Sequence, residues 1–293
     1  MAFTFEKAER KKSKLRLGLT GPSGAGKTYG ALLVAKGIGG KIAVIDTEHG
    51  SASLYTDLVD FDVLNLPPPY SPENFIAALQ AAEQAGYQTV IIDSVTHEWS
   101  GKGGCLELQE ELTRSKYRGN SYQAWSEITP RHRAFLDAII QSACHVIVTM
   151  RSKTDMAMQE SITGKKQVVK LGMKSEQRDG FEYELSLVLD IIHDGHFAVA
   201  SKDRTGLFVD KDPKPITTNT GKILLAWLEN GIAVEHKPEP EPTQEPEEIS
   251  VHIERIKNCK KMPELLAVWQ TLDPAIRKQC ESTKNEMKTK LTA

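Results

Sequence analysis

The stretch Gly21-Pro22-Ser23-Gly24-Ala25-Gly26-Lys27-Thr28 constrains this chain more than anything else in it. It fits the spacing G-x-x-x-x-G-K-[ST] and lies between a short apolar run and a helical pattern, the strand-loop-helix context this motif requires. The glycines let the backbone curl so that several N–H groups face one phosphate, and the helix beginning near Lys27 adds its dipole. Lys27 can reach the outer phosphates, and Thr28 offers a hydroxyl to Mg2+. All eight residues therefore read as one phosphate cradle.

The surrounding pattern alternates strands with helices. Leu15 to Leu19, Lys41 to Ile45, Thr89 to Ile92 and His145 to Thr149 are short, apolar and rich in β-branched residues, as strands buried on both faces of a parallel sheet are. Ser71-Pro72-Glu73 opens a helix with an N-cap, a first-turn proline and an acid, and Gly86 follows its last turn. Thr129-Pro130 predicts a second helix start, running to about Ala143. Leu185 to Ile192 and His196 to Ser201, joined through Asp194-Gly195, predict an antiparallel hairpin closing the sheet. The class is α/β, a mainly parallel central sheet flanked by helices.

Charge divides the 293 residues into three pieces. Residues 1–230 carry 27 Lys+Arg against 28 Asp+Glu, residues 231–249 carry 1 against 6, and residues 250–293 carry 9 against 5. KPEPEPTQEPEE at 237–248 has no apolar residue and predicts an extended acidic linker. The basic remainder, 250–293, shows helical spacing and predicts a small helical domain. No apolar run approaches the roughly 20 residues that span a bilayer, and the first 16 residues do not form a secretory signal, so a cytoplasmic protein is expected. Cys105, Cys144, Cys259 and Cys280 show no C-x-x-C pair and no histidine at metal-ligand spacing, which argues against a structural zinc. Lys11, Lys12, Lys14 and Arg16 read as a solubilising arm.

A phosphate cradle of this kind needs an acid to help hold the metal, and Val90-Ile91-Ile92-Asp93-Ser94 supplies one at a strand end. Asp93 and Thr28 are the expected Mg2+ ligands. Hydrolysis needs a group beside the γ phosphate that orients or deprotonates water, and Ile45-Asp46-Thr47-Glu48-His49 ends another strand in acids. Glu48 is the expected base, with Asp46 as the competing assignment.

In this order the motifs resemble the RecA-like ATPases: RecA and its relatives, ring helicases of the DnaB type, and the RecA-core recombination ATPases of bacteriophages. The resemblance covers about residues 14–210 and implies ATP and Mg2+ as cofactors. Ser201-Lys202-Asp203-Arg204-Thr205-Gly206 is similar to the K-x-R-x-G with which ring-forming members reach a neighbouring subunit's nucleotide, which makes Lys202 and Arg204 expected trans-acting catalytic residues. Where RecA places a sensor Gln after its fourth core strand, this chain reads Val148-Thr149-Met150-Arg151, leaving Thr149 or Arg151 to report the γ phosphate.

The first DNA loop of the family falls at residues 100–126, where Arg114, Lys116, Tyr117 and Arg118 combine phosphate-binding bases with an aromatic for base stacking. Tyr122 is a further stacking candidate, and Trp125 belongs either to that set or to a helix's apolar face. The second-loop position, 151–181, holds Lys165, Lys166, Lys170 and Lys174, either a phosphate-tracking stripe or ordinary lysines of a solvated hairpin. The resemblance thus implies a homo-oligomeric ring or filament acting on single-stranded DNA by annealing or strand exchange, with a single-strand-binding protein as a further partner. A ring-type helicase or translocase, and a nucleotide-dependent switch or assembly ATPase without DNA, are the alternatives.

Overall fold

The computed structural model describes residues 5, 7–160, 166–231, 249–272 and 274–292. Strands β1 (Arg16–Gly21), β2 (Ile42–Asp46), β3 (Asp62–Asn65), β4 (Thr89–Asp93), β5 (His145–Glu160), β6 (Lys166–Ser175), β7 (Leu187–Ile191), β8 (Phe197–Asp203) and β9 (Lys214–Pro215) alternate with helices. The helices are α1 (Lys27–Ile38), α2 (Pro72–Gln84), α3 (Thr96–Ser100), α4 (Cys105–Ser115), α5 (Ser121–Gln141), α6 (Phe181–Glu184) and α7 (Thr218–Glu229). Then come α8 (Ile249–Lys257), α9 (Met262–Thr271) and α10 (Pro274–Thr292).

The sheet order is β3-β2-β4-β5-β1-β7-β8-β9, with β6 pairing the far end of β5. From β3 to β7 the pairs are parallel, and β8 and β9 close the edge antiparallel. Period-two alternation explains why β1, β2 and β4 are buried throughout. Leu17, Leu19, Val44, Ile91 and Ile147 join one apolar layer with α1 and α7, while Ile45, Val90, Ile92, Val146 and Val148 join the other with α2 and α5. α1 and α7 meet backbone to backbone: a Cβ on Gly37 would strike the Gly221 Cα at 2.8 Å.

Helix α2 starts as its sequence predicts, with Ser71 Oγ accepting the Asn74 N–H at 3.4 Å. The expected start at Thr129-Pro130 is corrected, because α5 begins at Ser121, capped by Asn120 Oδ1 at 3.2 Å from Gln123 N, and carries Pro130 within it. Ala124, Ile128, His132, Phe135 and Ile139 bury one continuous face, which offsets the hydrogen bond that the proline forfeits. Edge strand β3 was not foreseen; its residues are exposed and lack the apolar signature.

Arg16 is no part of a solvated arm. It is 6 % exposed, and its guanidinium donates to the carbonyls of Ile140, Cys144 and Ser142, at 2.9, 2.7 and 2.5 Å, around the end of α5. Burial pulls its pKa down to about 10.

The chain divides into two compact units, Met1–Ala233 and Val234–Ala293. In the second, α8, α9 and α10 close around Ile256, Cys259, Leu265, Leu272 and Cys280. Among the described residues, no helix is long and apolar enough to cross a membrane.

Candidate functional site

β1 delivers Gly21 to the carboxyl edge of the sheet, Pro22 to Gly26 turn back, and Lys27 and Thr28 open α1. Gly24 at φ 78° and Gly26 at φ 91° occupy the left-handed region that favours glycine. Lys27 Nζ folds onto the loop itself, donating to the Gly21 and Pro22 carbonyls at 3.0 and 2.8 Å. Burial pushes its ammonium below the ordinary lysine range, and Arg151 adds repulsion against the pull of Asp93 and Glu48.

Asp93 ends β4 beside this helix start. It is 2 % exposed and accepts hydroxyl bonds from Thr28 at 2.6 Å and from Thr149, on β5, at 2.5 Å. Burial raises its pKa, and these hydroxyls offset that only in part. A buried carboxylate backed by hydroxyls rather than by a cation fits a hard divalent ion with oxygen ligands. Thr28 and Asp93 are thus brought together at the place expected for Mg2+.

Glu48 lies just past β2. Asp46, the competing base, is 1 % exposed and spends its oxygens on the backbone N–H groups of Glu48 at 2.6 Å and Ala52 at 3.1 Å, so it shapes the loop that presents Glu48. Thr47 anchors the same loop: its N–H reaches the Asp93 carbonyl at 2.7 Å, and its hydroxyl accepts the Ser94 N–H at 2.9 Å. His97 Nδ1 stands 2.6 Å from that hydroxyl, and its ring stacks on Tyr70.

Glu48 Oε1 receives Arg151 Nε at 3.0 Å and Oε2 receives Arg151 NH2 at 2.5 Å, with Ser94 Oγ 3.3 Å from Oε1. Burial would raise the Glu48 pKa, but the Arg151 bonds and charge, helped by His97 and Ser94, hold it below the ordinary carboxylate range. Thr149 and Arg151, the two residues standing where a sensor Gln was expected, thus divide the work: one braces Asp93, the other grips Glu48.

Sequence reading missed His196. From the β7–β8 turn its Nδ1 donates to the carbonyl of Ala25 inside the phosphate loop at 3.0 Å, and a Cβ on Gly24 would lie 3.5 Å from His193 Nε2. The Asp194-Gly195 turn marked that hairpin but gave no sign of where its tip lands.

The other expected residues lie elsewhere. Lys202 and Arg204 donate to the carbonyls of Glu182 at 2.9 Å and Tyr183 at 2.8 Å respectively. They stand at the sheet end remote from the phosphate loop, since Asp203 pairs with Leu187 where β7 begins. Arg114 pairs with Glu110 at 2.9 Å, Lys116 with Glu127 at 2.5 Å, the Tyr117 hydroxyl also reaches Glu127, and Arg118 follows at φ 49°. Tyr122 is 86 % exposed, whereas Trp125 stacks on Trp99 beneath Arg178. Lys166 and Lys170 occupy β6, Lys174 pairs with Asp179 at 2.6 Å, and Lys165 lies outside the described residues.

The fold also brings Cys105 to a histidine that chain spacing could not show. Cys105 and His132 both lie 3.0 Å from Glu98 Oε1, and Gln177 Nε2 is 3.3 Å from Oε2, a fully buried network in which each member supplies a partner to the carboxylate.

Two acids, a lysine and an arginine thus converge with a backbone cradle at the carboxyl ends of β1, β2 and β4 and at the point where β5 leaves its parallel pairing with β1, where open α/β sheets bind ligands. A family model of the AAA domain matches residues 13–219. The chain belongs to this family and is a P-loop ATPase of the AAA type, which binds and hydrolyses nucleotide. No curated protein matches it.

Proposed function

We propose that this ATPase acts on single-stranded DNA in homologous recombination of the bacteriophage type, annealing strands or exchanging them, as a cytoplasmic homo-oligomer with nucleotide sites shared between subunits. The observation that carries the reading is the position of Arg151. It grips Glu48 in the nucleotide site and is also the residue from which the basic β5–β6 hairpin departs, its carbonyl taking the Glu176 N–H at 2.7 Å. Hydrolysis and the segment expected to touch DNA therefore share one residue.

In this reading Glu48 orients and deprotonates the attacking water, Lys27 turns from its loop carbonyls to the phosphates, and Thr28 and Asp93 hold Mg2+. The ion, when bound, neutralises charge on the outer phosphates. Lys202 and Arg204 serve the neighbour's nucleotide. Residues 250–293, with 9 Lys+Arg against 5 Asp+Glu, suit an acidic partner surface, and a single-strand-binding protein is the candidate.

The test is ATP hydrolysis with and without single-stranded DNA across a salt series, with Lys27→Ala as the blank. Salt-sensitive stimulation is expected, because phosphate contacts release counterions. A DNA-indifferent rate with no DNA binding at low salt would leave a nucleotide switch or assembly protein. ATP-driven directional unwinding would replace annealing by a ring-type motor.

A further inference from the structure

His132 interrupts an apolar face of α5, between Ile128 and Phe135, and is 2 % exposed. Its Nδ1 stands 3.0 Å from Oε1 and 3.2 Å from Oε2 of Glu98, a fully buried carboxylate on α3. The turn from α3 to α4 is drawn tight: a Cβ on Gly104 would lie 2.7 Å from the carbonyl oxygens of His97 and Glu98. That folding back sets Cys105, the first residue of α4, with Sγ 3.0 Å from Glu98 Oε1. Thiol, imidazole and carboxylate each offer a donor atom, all buried and within 4.8 Å of one another. Helix packing has bridged the chain spacing that spoke against a structural zinc.

A buried carboxylate needs a paired cation or a metal ion to offset the water it has lost. Among the described residues no lysine or arginine is hydrogen-bonded to Glu98; its partners are Cys105, His132 and the Gln177 amide. Zinc bonds such donors at about 2.0–2.3 Å and holds them roughly 3.3–3.7 Å apart, so the two 3.0 Å separations need open by only about half an ångström. Both Glu98 oxygens face the imidazole, so the carboxylate can supply a fourth ligand as well as a third.

Sulfur and imidazole donors select zinc over the hard ions that oxygen ligands hold. Charge favours it too, because Zn2+ against one thiolate, one carboxylate and a neutral imidazole sums to zero in a dry site. Burial and the Glu98 carboxylate push the Cys105 thiol well up, so its proton leaves to solvent only as the sulfur–zinc bond forms. The charges of Arg131 and Arg178 assist that loss. Trp99 and Phe181 set their rings 5.7 and 6.4 Å from the His132 ring and wall the site with apolar surface.

We infer that Glu98, Cys105 and His132 bind a structural zinc ion that ties α3, which follows the strand carrying Asp93, to α4 and α5. An ion so enclosed offers no position to a substrate, so its work is to hold the fold. It is a different site from the one at Thr28 and Asp93, whose oxygens suit a harder ion.

The full-length protein is loaded with zinc, dialysed against metal-free buffer, and assayed for zinc per chain by mass spectrometry; affinity is read by competition with a chromophoric chelator. One zinc per chain is expected in wild type and in Cys259→Ser, whose thiol lies in the second unit. Cys105→Ser and His132→Gln should each weaken zinc about 100-fold or more, beyond the roughly 10–100-fold that changes outside the ligands cost. A second measurement does not depend on whether those variants fold. Co2+ added to metal-stripped wild type should give a sulfur-to-cobalt charge-transfer band and the intense visible bands of a tetrahedral ion, both complete at one equivalent. Folded wild type that retains no zinc, a cobalt spectrum without the sulfur band, or wild-type zinc affinity in folded Cys105→Ser overturns the inference and leaves a hydrogen-bonded triad.

Discussion

Thr28 and Asp93, 65 residues apart, meet through a hydroxyl-carboxylate hydrogen bond of 2.6 Å, with the second Asp93 oxygen held by Thr149. Among the described residues the hydrogen-bond partners of this buried carboxylate are hydroxyls rather than a cation, and burial outweighs them, so it weakens the nucleotide-free fold and is useful when a cation arrives. A carboxyl whose pKa is higher in the fold than in the unfolded chain leaves the fold holding more protons. Its contribution to stability therefore falls as pH climbs through the unfolded and then the folded value, and is least favourable at neutral pH. Asp93→Asn keeps the shape and drops the charge. At pH 7, without nucleotide, its melting temperature should rise by about 2–4 °C, the shift that about 1 kcal/mol gives a domain of this size, while Mg2+-dependent hydrolysis is lost. The gain should vanish below the ordinary aspartate value of 3.8, where wild type is protonated in both states. A lower melting temperature at pH 7 would contradict this account.

Lys27 and Glu48 should fail in different ways. Lys27 already faces oxygen acceptors, two carbonyls of its own loop, and bound phosphates would take their place. Lys27→Ala is expected to weaken nucleotide binding itself, read by titration with a fluorescent analogue. Glu48→Gln should bind normally and lose turnover by about 100-fold or more, the usual worth of a positioned base. Equal loss of affinity in both variants would mean that Glu48 is a binding residue.

Much of this site was legible because its parts are local. A phosphate cradle must be built from consecutive backbone N–H groups, so Gly21 to Thr28 declare themselves in one line of sequence. Asp93 and Glu48 were legible because each follows a buried apolar strand, and the sheet brings such strand ends to one edge. What stayed hidden depends on partners far along the chain. Arg151 reaches Glu48 across 103 residues, and His196 reaches Ala25 across 171. Arg16 looked like the last member of a basic arm because its charge is visible in sequence and the carbonyls at the end of α5 that accept it are not. Pro130 looked like a helix start because a proline's local preference is visible, and the buried face running through it from Ala124 to Ile139 counts for more.

At the start of α2, Glu73 forms a two-armed pair with Arg131, at 2.6 and 2.8 Å. The Arg131 hydrogen bonds hold its carboxyl down to about 2. A depressed pKa contributes stability that is present above the ordinary value of 4.5 and lost as pH falls toward 2. Because the Glu73 side chain is 52 % exposed, water screens the pair, and Glu73→Gln should cost about 0.5–1 kcal/mol at pH 7. The difference from wild type should close between pH 4.5 and 2 in denaturant titrations. A gap that persists at pH 2 would trace to packing.

Lys202 and Arg204 cannot serve the phosphate loop of their own chain from the remote end of β8, where the carbonyls of Glu182 and Tyr183 hold them. If they act on nucleotide, it is a neighbour's, and the two halves of a site then come from different subunits. Arg204→Ala and Lys27→Ala should each be inactive alone. When the two are mixed, an interface pairing the intact loop of one with the intact finger of the other is complete. Random assembly through a head-to-tail interface makes about a quarter of the sites complete at equal amounts. Turnover in the mixture should approach that fraction of wild type and vary with the mixing ratio. No recovery at any ratio, in a preparation shown by light scattering to contain mixed oligomers, would confine Lys202 and Arg204 to bracing α6.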